Sequence, residues 1–440
     1  MRPLPEGPRS RYDSLSPGAR RWLVTAAFLA LQVVIWVLLE AIYYHGRPIT
    51  DTSIYYTYAG RMLDGLFPYD DFAAEYPPVA MLLFLLPRLL SGISYNSYVY
   101  WFELEMLLFS CGNILLISLL VWRRWSDTGR LAAALGLYSL FTVMMGFIIA
   151  ARFDVAAAFL ILATVAAFIY DRKAIAWALI GVGIMTKVVP LFIAPMFIIV
   201  HHRRGRRDWM FIGPVIALAA ATAIALPFLA ASWEGLARAF TYHAERPLQI
   251  ESSWSTPLLF MSYLGYGLRT FLSYGSHNLF TPLSNLLATL SGPVTLLFLL
   301  VCYRSFWKRL AGGGGARGDD GYLNDQLIRY TTASIVIFIA GGKVLSPQFL
   351  IWLLPLMPLV YGPDRNYILS LYGAALVMTQ LEFPFYYGDL LSLNPLVVTL
   401  VAARNILLVW LAVVLVRRPV PRDGLFGLYK LEGKPAAPQA

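Results

Sequence analysis

The sequence predicts an all-α polytopic membrane protein, a bundle of about 12 transmembrane helices whose outer loops carry short interfacial helices. Of its 440 residues, 58% are hydrophobic and only 14% are charged. Apolar runs close to the roughly 20 residues that cross a bilayer recur along the chain. Short groups of basic residues separate many of these runs, as is typical of cytoplasmic loops.

The net charge of +10 comes largely from these basic groups. They lie between apolar runs and not along one face, so membrane topology explains them and no nucleic-acid partner is predicted. The first run, from Trp22 to about Tyr44, is too long for a signal-peptide core, and no small-residue cleavage site follows it. We therefore expect this run to be retained as a span.

The order of the basic groups predicts the topology. Arg9, Arg11, Arg20 and Arg21 precede the first run, which places tail 1–21 in the cytoplasm. Further groups follow at every second loop: Arg123 and Arg124; Arg172 and Lys173; Arg203, Arg204, Arg206 and Arg207; Arg304, Lys308 and Arg309; Arg365; Arg417 and Arg418. We expect both termini to be cytoplasmic, including tail 417–440, in a plasma membrane that is bacterial.

A single transmembrane domain is predicted over residues 22–416, with outer loops 45–97 and 232–277 and a cytoplasmic Gly-rich loop 304–326. After the first span, further spans are predicted near 98–121, 131–150, 154–170, 174–186, 189–200, 211–231, 278–303, 327–342, 347–361, 366–382 and 395–416. The pair that flanks Lys187 and Pro190 is short and favours broken or tilted helices. Residues 79–92 favour an interfacial or re-entrant helix.

The first outer loop is acidic and aromatic. Asp51 follows the first span, and Glu75 stands before Tyr76 and two prolines that stiffen the backbone. Carboxylates at this position suit a polar substrate that meets a lipid at the membrane surface. Asp70 and Asp71, beside Pro68, are interpreted as solvated turn residues.

Four basic residues fall on the outer side, against the positive-inside bias: Arg152, Lys187, Arg246 and Lys343. A lipid phosphate would explain them, because guanidinium and ammonium groups neutralise phosphate directly. Snorkelling of the lysines to the interface is the alternative. Asp154 is open to two interpretations as well, a site residue or a first-turn carboxylate favoured by the helix dipole.

No cofactor is predicted. The five histidines lack metal-ligand spacing, and no Gly-rich nucleotide fingerprint follows a strand. The sequence assigns no metal ligand and leaves dependence on a divalent metal open. Since no cytoplasmic site for a sugar nucleotide is evident, a lipid-linked donor is favoured.

Several short motifs, in this order and spacing, resemble one family along most of the chain. They are Asp51 with Tyr55; Gly65, Pro68, Tyr69, Phe72 and Glu75 to Pro78; Arg152, Phe153 and Asp154; Lys187 with Pro190; Arg246 and Leu248 to Ser252; and Ser346 to Phe349 with Trp352. The chain resembles the polytopic glycosyltransferases of the C-type fold, and among them glycosyltransferase family 87. That family includes actinobacterial polyprenol-phosphate-mannose-dependent mannosyltransferases.

The resemblance implies inverting transfer of a sugar, mannose by family precedent, from a polyprenyl phosphate to a glycolipid or glycan acceptor. It implies that Asp51 is the catalytic base, with Glu75 as the alternative base. The predicted donor-phosphate ligands are Arg246, Lys343, Lys187 and Arg152. The predicted sugar or acceptor contacts are Tyr55, Tyr56, Tyr76, Asp154, Gln249, Glu251 and Gln348.

Two rival functions remain open from the sequence. A transporter or flippase of lipid-linked sugars would have a similar number of spans, although such proteins hold substrate near the bilayer midplane between repeats. A polymer ligase that uses a lipid phosphate is the other. The unusual polar residues cluster at the outer rim, which favours a transferase.

Overall fold

The structure is a computed structural model that describes residues 14–43, 51–311 and 320–418. The predictions for most of the two tails, for residues 45–50 of the first outer loop and for the glycines of the cytoplasmic loop lie outside the described residues. The described chain is almost entirely helical. The α-helices are α1 (Pro17–Tyr43), α2 (Thr52–Leu63), α3 (Pro78–Ser91), α4 (Tyr95–Trp125), α5 (Thr128–Met145), α6 (Asp154–Ile169), α7 (Lys173–Ile184), α8 (Ala194–Arg203), α9 (Trp209–Glu245), α10 (Thr256–Ser262), α11 (Pro282–Ala311), α12 (Asp320–Gly341), α13 (Arg365–Gln380), α14 (Tyr387–Leu391) and α15 (Pro395–Arg417).

Irregular helical segments interrupt this series, and all but Met357–Leu359, which lies near Arg124, are at the end of the bundle that holds the candidate site. Their bounds are Gly146–Ile149, Val189–Ile193, Pro347–Leu353 and Met357–Leu359 for the 3-10 turns, and Leu381–Phe385 for a π turn. Proline lies in the first turn of three of the 3-10 segments, where its missing N–H costs no helical hydrogen bond. These segments separate α6, α7, α12 and α13 from their neighbours and place non-helical backbone beside the candidate site.

Seven helices of the described chain are long and apolar enough to cross a membrane, namely α1, α4, α5, α9, α11, α13 with its π turn, and α15. Shorter apolar helical stretches occur at Pro78–Ser91, Asp154–Ile169, Lys173–Ile184, Val189–Arg203 and Pro347–Leu359. The prediction of an all-α polytopic membrane protein is confirmed. Helix α12 covers most of the predicted span at 327–342 but is not among the seven. By length, the described chain has seven helices that can cross the membrane completely, fewer than the about 12 that the sequence predicts.

The basic loops that were predicted to share one side of the membrane contact one another at one end of the bundle. Arg124 pairs with Asp325 at 3.2 Å, and Arg309 donates to the carbonyl of Arg417 at 3.0 Å. Within the bundle at this end, buried Arg329 pairs with Asp364 at 2.7 Å. The polar residues that the sequence predicts to be extracytoplasmic lie at the opposite end, which is named the outer end after that prediction.

Helix α9 changes direction at Ser232, which has extended φ/ψ angles of −153° and 97°. The predicted second outer loop begins at this residue. It contains a small antiparallel sheet of β1 (Leu248–Gln249), β2 (Thr270–Ser273) and β3 (Ser276–Leu279) in the order β1-β3-β2. Tyr274 and Gly275 both have positive φ, so they form the two-residue turn that suits a tight hairpin.

Close contact between α7 and α9 depends on glycine. A Cβ added at Gly181 would meet the backbone carbonyl of Ala217, and one added at Gly213 would meet the indole of Trp177. Small residues allow such approach where two membrane helices touch.

We predict that Gly181→Leu lowers the apparent melting temperature of the detergent-purified protein, because overpacking at a backbone contact costs about 1–3 kcal/mol. Thermal unfolding followed by circular dichroism measures the change. Gly136→Ala is the control, since the nearest atoms to an added Cβ there, on Phe28, are 3.8 Å away. Equal melting temperatures for both variants would contradict the close packing of α7 and α9.

Candidate active site

Asp51 and Arg152 form an ion pair at the outer end of the bundle. Asp51 is the N-cap residue of α2, but its side chain makes no capping hydrogen bond and reaches across to the turn before α6. Its carboxylate is partly exposed, whereas Arg152 is buried. Burial lowers the pKa of the Arg152 guanidinium to about 10, and the nearby carboxylates of Asp154 and Glu251 oppose that effect.

Asp154 is fixed by two donors from distant segments. Lys187 Nζ lies 2.6 Å from its Oδ1, and the indole Nε1 of Trp352 donates to the same oxygen at 2.7 Å. The lysine also lies over the rings of Phe153, Phe349 and Trp352, at 4.6, 5.4 and 5.1 Å from their centroids. Burial lowers the pKa of Lys187, and Asp154 opposes this by stabilising the ammonium form.

Aromatic side chains form one wall of this region. Tyr55 is buried and stacks on Phe84 at 4.1 Å, with Tyr76 and Phe153 packed edge-on at 5.7 and 5.9 Å. Tyr56 points away from them. Its hydroxyl donates to the carbonyl of Ile93 at 2.6 Å, so the structure does not bring it together with the other predicted sugar contacts.

Glu75 lies at the edge of the same wall. Tyr76 and Tyr242 lie near its carboxylate, and the His243 ring contacts its backbone carbonyl at 3.2 Å. Tyr69 donates to the carbonyl of Tyr76 at 2.6 Å. These contacts fix the rigid segment ahead of α3 against the outer part of α9.

Arg246 and Lys343 face a groove of about 720 Å³ between the second outer loop and α11. Arg246 donates to Ser276 Oγ at 2.8 Å, and Lys343 Nζ donates to the carbonyl of Ala244 at 2.5 Å. Neither residue forms an ion pair with a carboxylate of the described chain. Burial and the neighbouring Arg246 lower the pKa of Lys343. Two cations held together in this way favour an anion between them.

Gln249 and Glu251 are buried in segment 248–252 of the second outer loop, which is named the crosspiece because it is hydrogen-bonded to the turn after α12. Gln249 N donates to the Lys343 carbonyl at 3.0 Å, its Oε1 accepts from Leu345 N at 3.0 Å, and its amide donates to Glu251. Gln348 lies half-buried in the following 3-10 turn. The predicted residues from both halves of the chain are therefore brought to one end.

Sequence reasoning missed Arg404, which contacts Glu382 at 2.7 Å and the carbonyl of Glu251 at 2.6 Å. A signal was present, because an arginine inside an apolar span costs at least about 2.5–3.5 kcal/mol and needs a partner. Trp352 entered only as part of a motif, with no role, and the contacts of Tyr242 and His243 with Glu75 were not anticipated.

Comparison with known proteins now bears on the site. The family model for glycosyltransferase family 87 matches residues 74–314, more than half of the chain. The chain belongs to glycosyltransferase family 87. The resemblance seen in the sequence is confirmed, and the protein is a membrane glycosyltransferase. Asp51, Tyr55, Lys343 and Gln348 lie outside the matched residues, so family membership alone assigns them no role.

Among solved structures, this family 87 member is similar to ArnT from Cupriavidus metallidurans in the apo state. The TM-score is 0.48 at 14% sequence identity, and the likeness covers 91% of this chain and 77% of that one. No curated protein matches the chain.

The Asp154–Lys187 pair gives a stability prediction. Lys187→Met leaves a buried carboxylate with only Trp352 as donor, and breaking a buried pair from one side costs about 3–5 kcal/mol. The added substitution Asp154→Asn should recover much of the lost stability, because the uncompensated charge is gone. Thermal unfolding of both single variants and the double variant measures the coupling. Simple additivity would contradict a direct ion pair.

Proposed function

We propose that this family 87 member is an inverting C-type glycosyltransferase that moves mannose from a polyprenyl phosphate to a glycolipid or glycan acceptor. One observation carries the proposal. Acidic, basic and aromatic residues from distant segments meet at one end of the bundle, beside a groove with two cations that form no ion pair among the described residues. A lipid-linked sugar needs that combination of a proton acceptor and a phosphate site.

The proposed site faces the extracytoplasmic side, with both termini in the cytoplasm. The contacts among basic loops at the opposite end support this orientation, since arginine and lysine are enriched in cytoplasmic loops. A donor that spans one leaflet would then present its phosphate and sugar at the outer surface.

We assign the donor phosphate first to Arg246 and Lys343. Helix α11 exposes apolar side chains such as Leu286 and Leu290 toward the membrane, and its Ala288 and Gly292 line the groove. A polyprenyl chain can thus approach from the side while its phosphate meets the two cations. Arg152 and Lys187 each have a carboxylate partner, so their charge is already largely neutralised.

Asp51 is the proposed base. The acceptor hydroxyl is a poor nucleophile until a carboxylate takes its proton as the oxygen attacks the anomeric carbon. The bond from that carbon to the phosphate oxygen breaks, the phosphate leaves with the electron pair, and the anomeric centre inverts. Arg152 fixes the orientation of Asp51 at the cost of some basicity. Cations near the leaving phosphate stabilise its developing charge.

Glu75 is the competing base. Its tyrosine contacts orient it, and the neighbouring Pro77 and Pro78 restrict its backbone. If Asp51 only positions Arg152, Glu75 has the required chemistry within the same wall of the site.

We predict that Asp51→Asn lowers kcat by about 10²–10⁴-fold, because the amide cannot accept the proton. Purified protein is assayed with polyprenyl-phosphate-mannose and a phospholipid-linked glycan acceptor. Glu75→Gln should retain most activity. Asp71→Asn is the matched acid-to-amide control in the same loop, where the side chain only closes a surface turn onto Phe67 N. A large loss in Glu75→Gln with near-normal Asp51→Asn would exchange the two roles.

We predict that Arg246→Ala and Lys343→Ala each lower kcat/KM for the lipid donor about 10-fold or more, since charged hydrogen bonds contribute roughly 1.5–3 kcal/mol. The KM for the acceptor should change much less. Exposed Arg269, in the same loop but not in the groove, is the control for loss of a positive charge. Equal effects of Arg269→Ala and Arg246→Ala on the donor would contradict the phosphate assignment.

A further inference from the structure

A second group of polar side chains lies on elements that the proposed mechanism does not use. Arg404 is fully buried within α15, and its Nη1 donates to Glu382 Oε2 at 2.7 Å. Its Nη2 donates to the backbone carbonyl of Glu251 at 2.6 Å, and Asn405 donates to the carbonyls of Glu251 and Ser252 at 3.3 and 3.2 Å. These bonds satisfy backbone carbonyls of the crosspiece. They place no cation on the carboxylate of Glu251 itself.

Glu251 and Glu382 are both buried, and Arg404 binds both residues, through the carboxylate of Glu382 and the backbone carbonyl of Glu251, so the two acidic residues are neighbours. Oε2 of Glu251 accepts from Gln249, and Oε2 of Glu382 accepts from Arg404. Within the described part of the chain, Oε1 of each carboxyl group has no donor. Two neighbouring buried carboxyl groups cannot both ionise at low cost, which favours one proton held by the pair. Burial, and then the charge of Glu382, raises the pKa of Glu251.

We propose that Glu251 and Glu382 share a single proton, and that Glu382, held ionised by Arg404, is a positioning residue that keeps Glu251 uncharged. One guanidinium, that of Arg404, faces two carboxyl groups, so one of the pair is ionised and the other is neutral. The other titratable groups that face Glu251 are Arg152, ahead of α6, and Tyr387, on α14.

The uncharged state has a consequence for the candidate active site. Arg152 is paired with Asp51 and is also near enough to Glu251 for a charge on Glu251 to act on its guanidinium. While Glu251 is neutral, Arg152 remains paired with Asp51. Loss of the shared proton at high pH creates a second carboxylate that competes for the same guanidinium and so disturbs the orientation of Asp51. This kinetic consequence rests on the proposed function, whereas the shared proton does not.

The shared proton is tested without substrate by infrared difference spectroscopy of the detergent-purified full chain, at the carbonyl stretch of protonated carboxylic acids. We expect the wild-type-minus-variant spectrum to show one such band for Glu251→Gln and the same band for Glu382→Gln, because either remaining carboxylate ionises beside Arg404, while the bands of other buried carboxyl groups cancel. Loss in both variants supports sharing. Retention of half the signal in each, or no loss in either, would overturn it. If one variant does not fold, the other reports the same band.

The kinetic consequence is tested by the pH profile of kcat/KM for mannosyl transfer. In Glu382→Gln the alkaline limb should move to lower pH by about 1 unit or more, because removal of the neighbouring negative charge makes Glu251 easier to ionise. A purely structural role predicts a lower melting temperature with an unmoved limb.

Asp364→Asn is the matched control. It weakens an equally buried arginine–carboxylate pair, Arg329–Asp364, whose guanidinium also donates to carbonyls near the far end of α15. Both the infrared band and the alkaline limb should stay in place in this variant. If wild type gives the band but no mannosyl transfer, the proposed function fails and the shared proton stands.

Discussion

A charge shut off from water must be paired, and this constraint organises the outer end of the protein. Asp51–Arg152, Asp154–Lys187 and Glu382–Arg404 each join elements that lie far apart in the chain or on separate helices. Removing one partner would expose the other to a low-dielectric environment at a cost of several kcal/mol. The pairs therefore act as crosslinks between helices whose apolar surfaces alone would pack with little specificity.

The same constraint applies to the backbone. Irregular segments at membrane depth are tolerated only where other groups satisfy their polar atoms. The crosspiece around Gln249 is bonded to the turn after α12, and Trp254 donates to the carbonyl of Gly341 at 2.7 Å. Arg404 and Asn405 complete it from α15. The floor of the candidate site is thus rigid although it is not helical, which is what a reaction that depends on alignment requires.

The sequence was sufficient for the class of fold, for most long spans and for the set of polar residues that gather at one end. The sequence did not predict which groups these polar residues contact. Nothing in the spacing indicates that Arg152 meets Asp51 instead of a phosphate, because that contact spans about 100 residues and depends on tertiary packing. The small sheet was missed because strands of two to four residues are too short to show a clear periodicity. The alternation of basic loops could be predicted because the basic residues beside each span direct its insertion into the membrane, and those residues are visible in the sequence.

The hairpin of β2 and β3 lies beside the groove and is not held by the ion pairs. Its turn residue Tyr274 lines the groove, and Ser276 holds Arg246, yet the hairpin contributes no member to the three buried pairs of the outer end. Surface loops accept insertions and substitutions more readily than the elements they connect. Under the proposed function, changes in hairpin length reshape the groove for a different lipid carrier while the reacting groups keep their geometry, so that carrier preference and bond-forming chemistry can evolve independently.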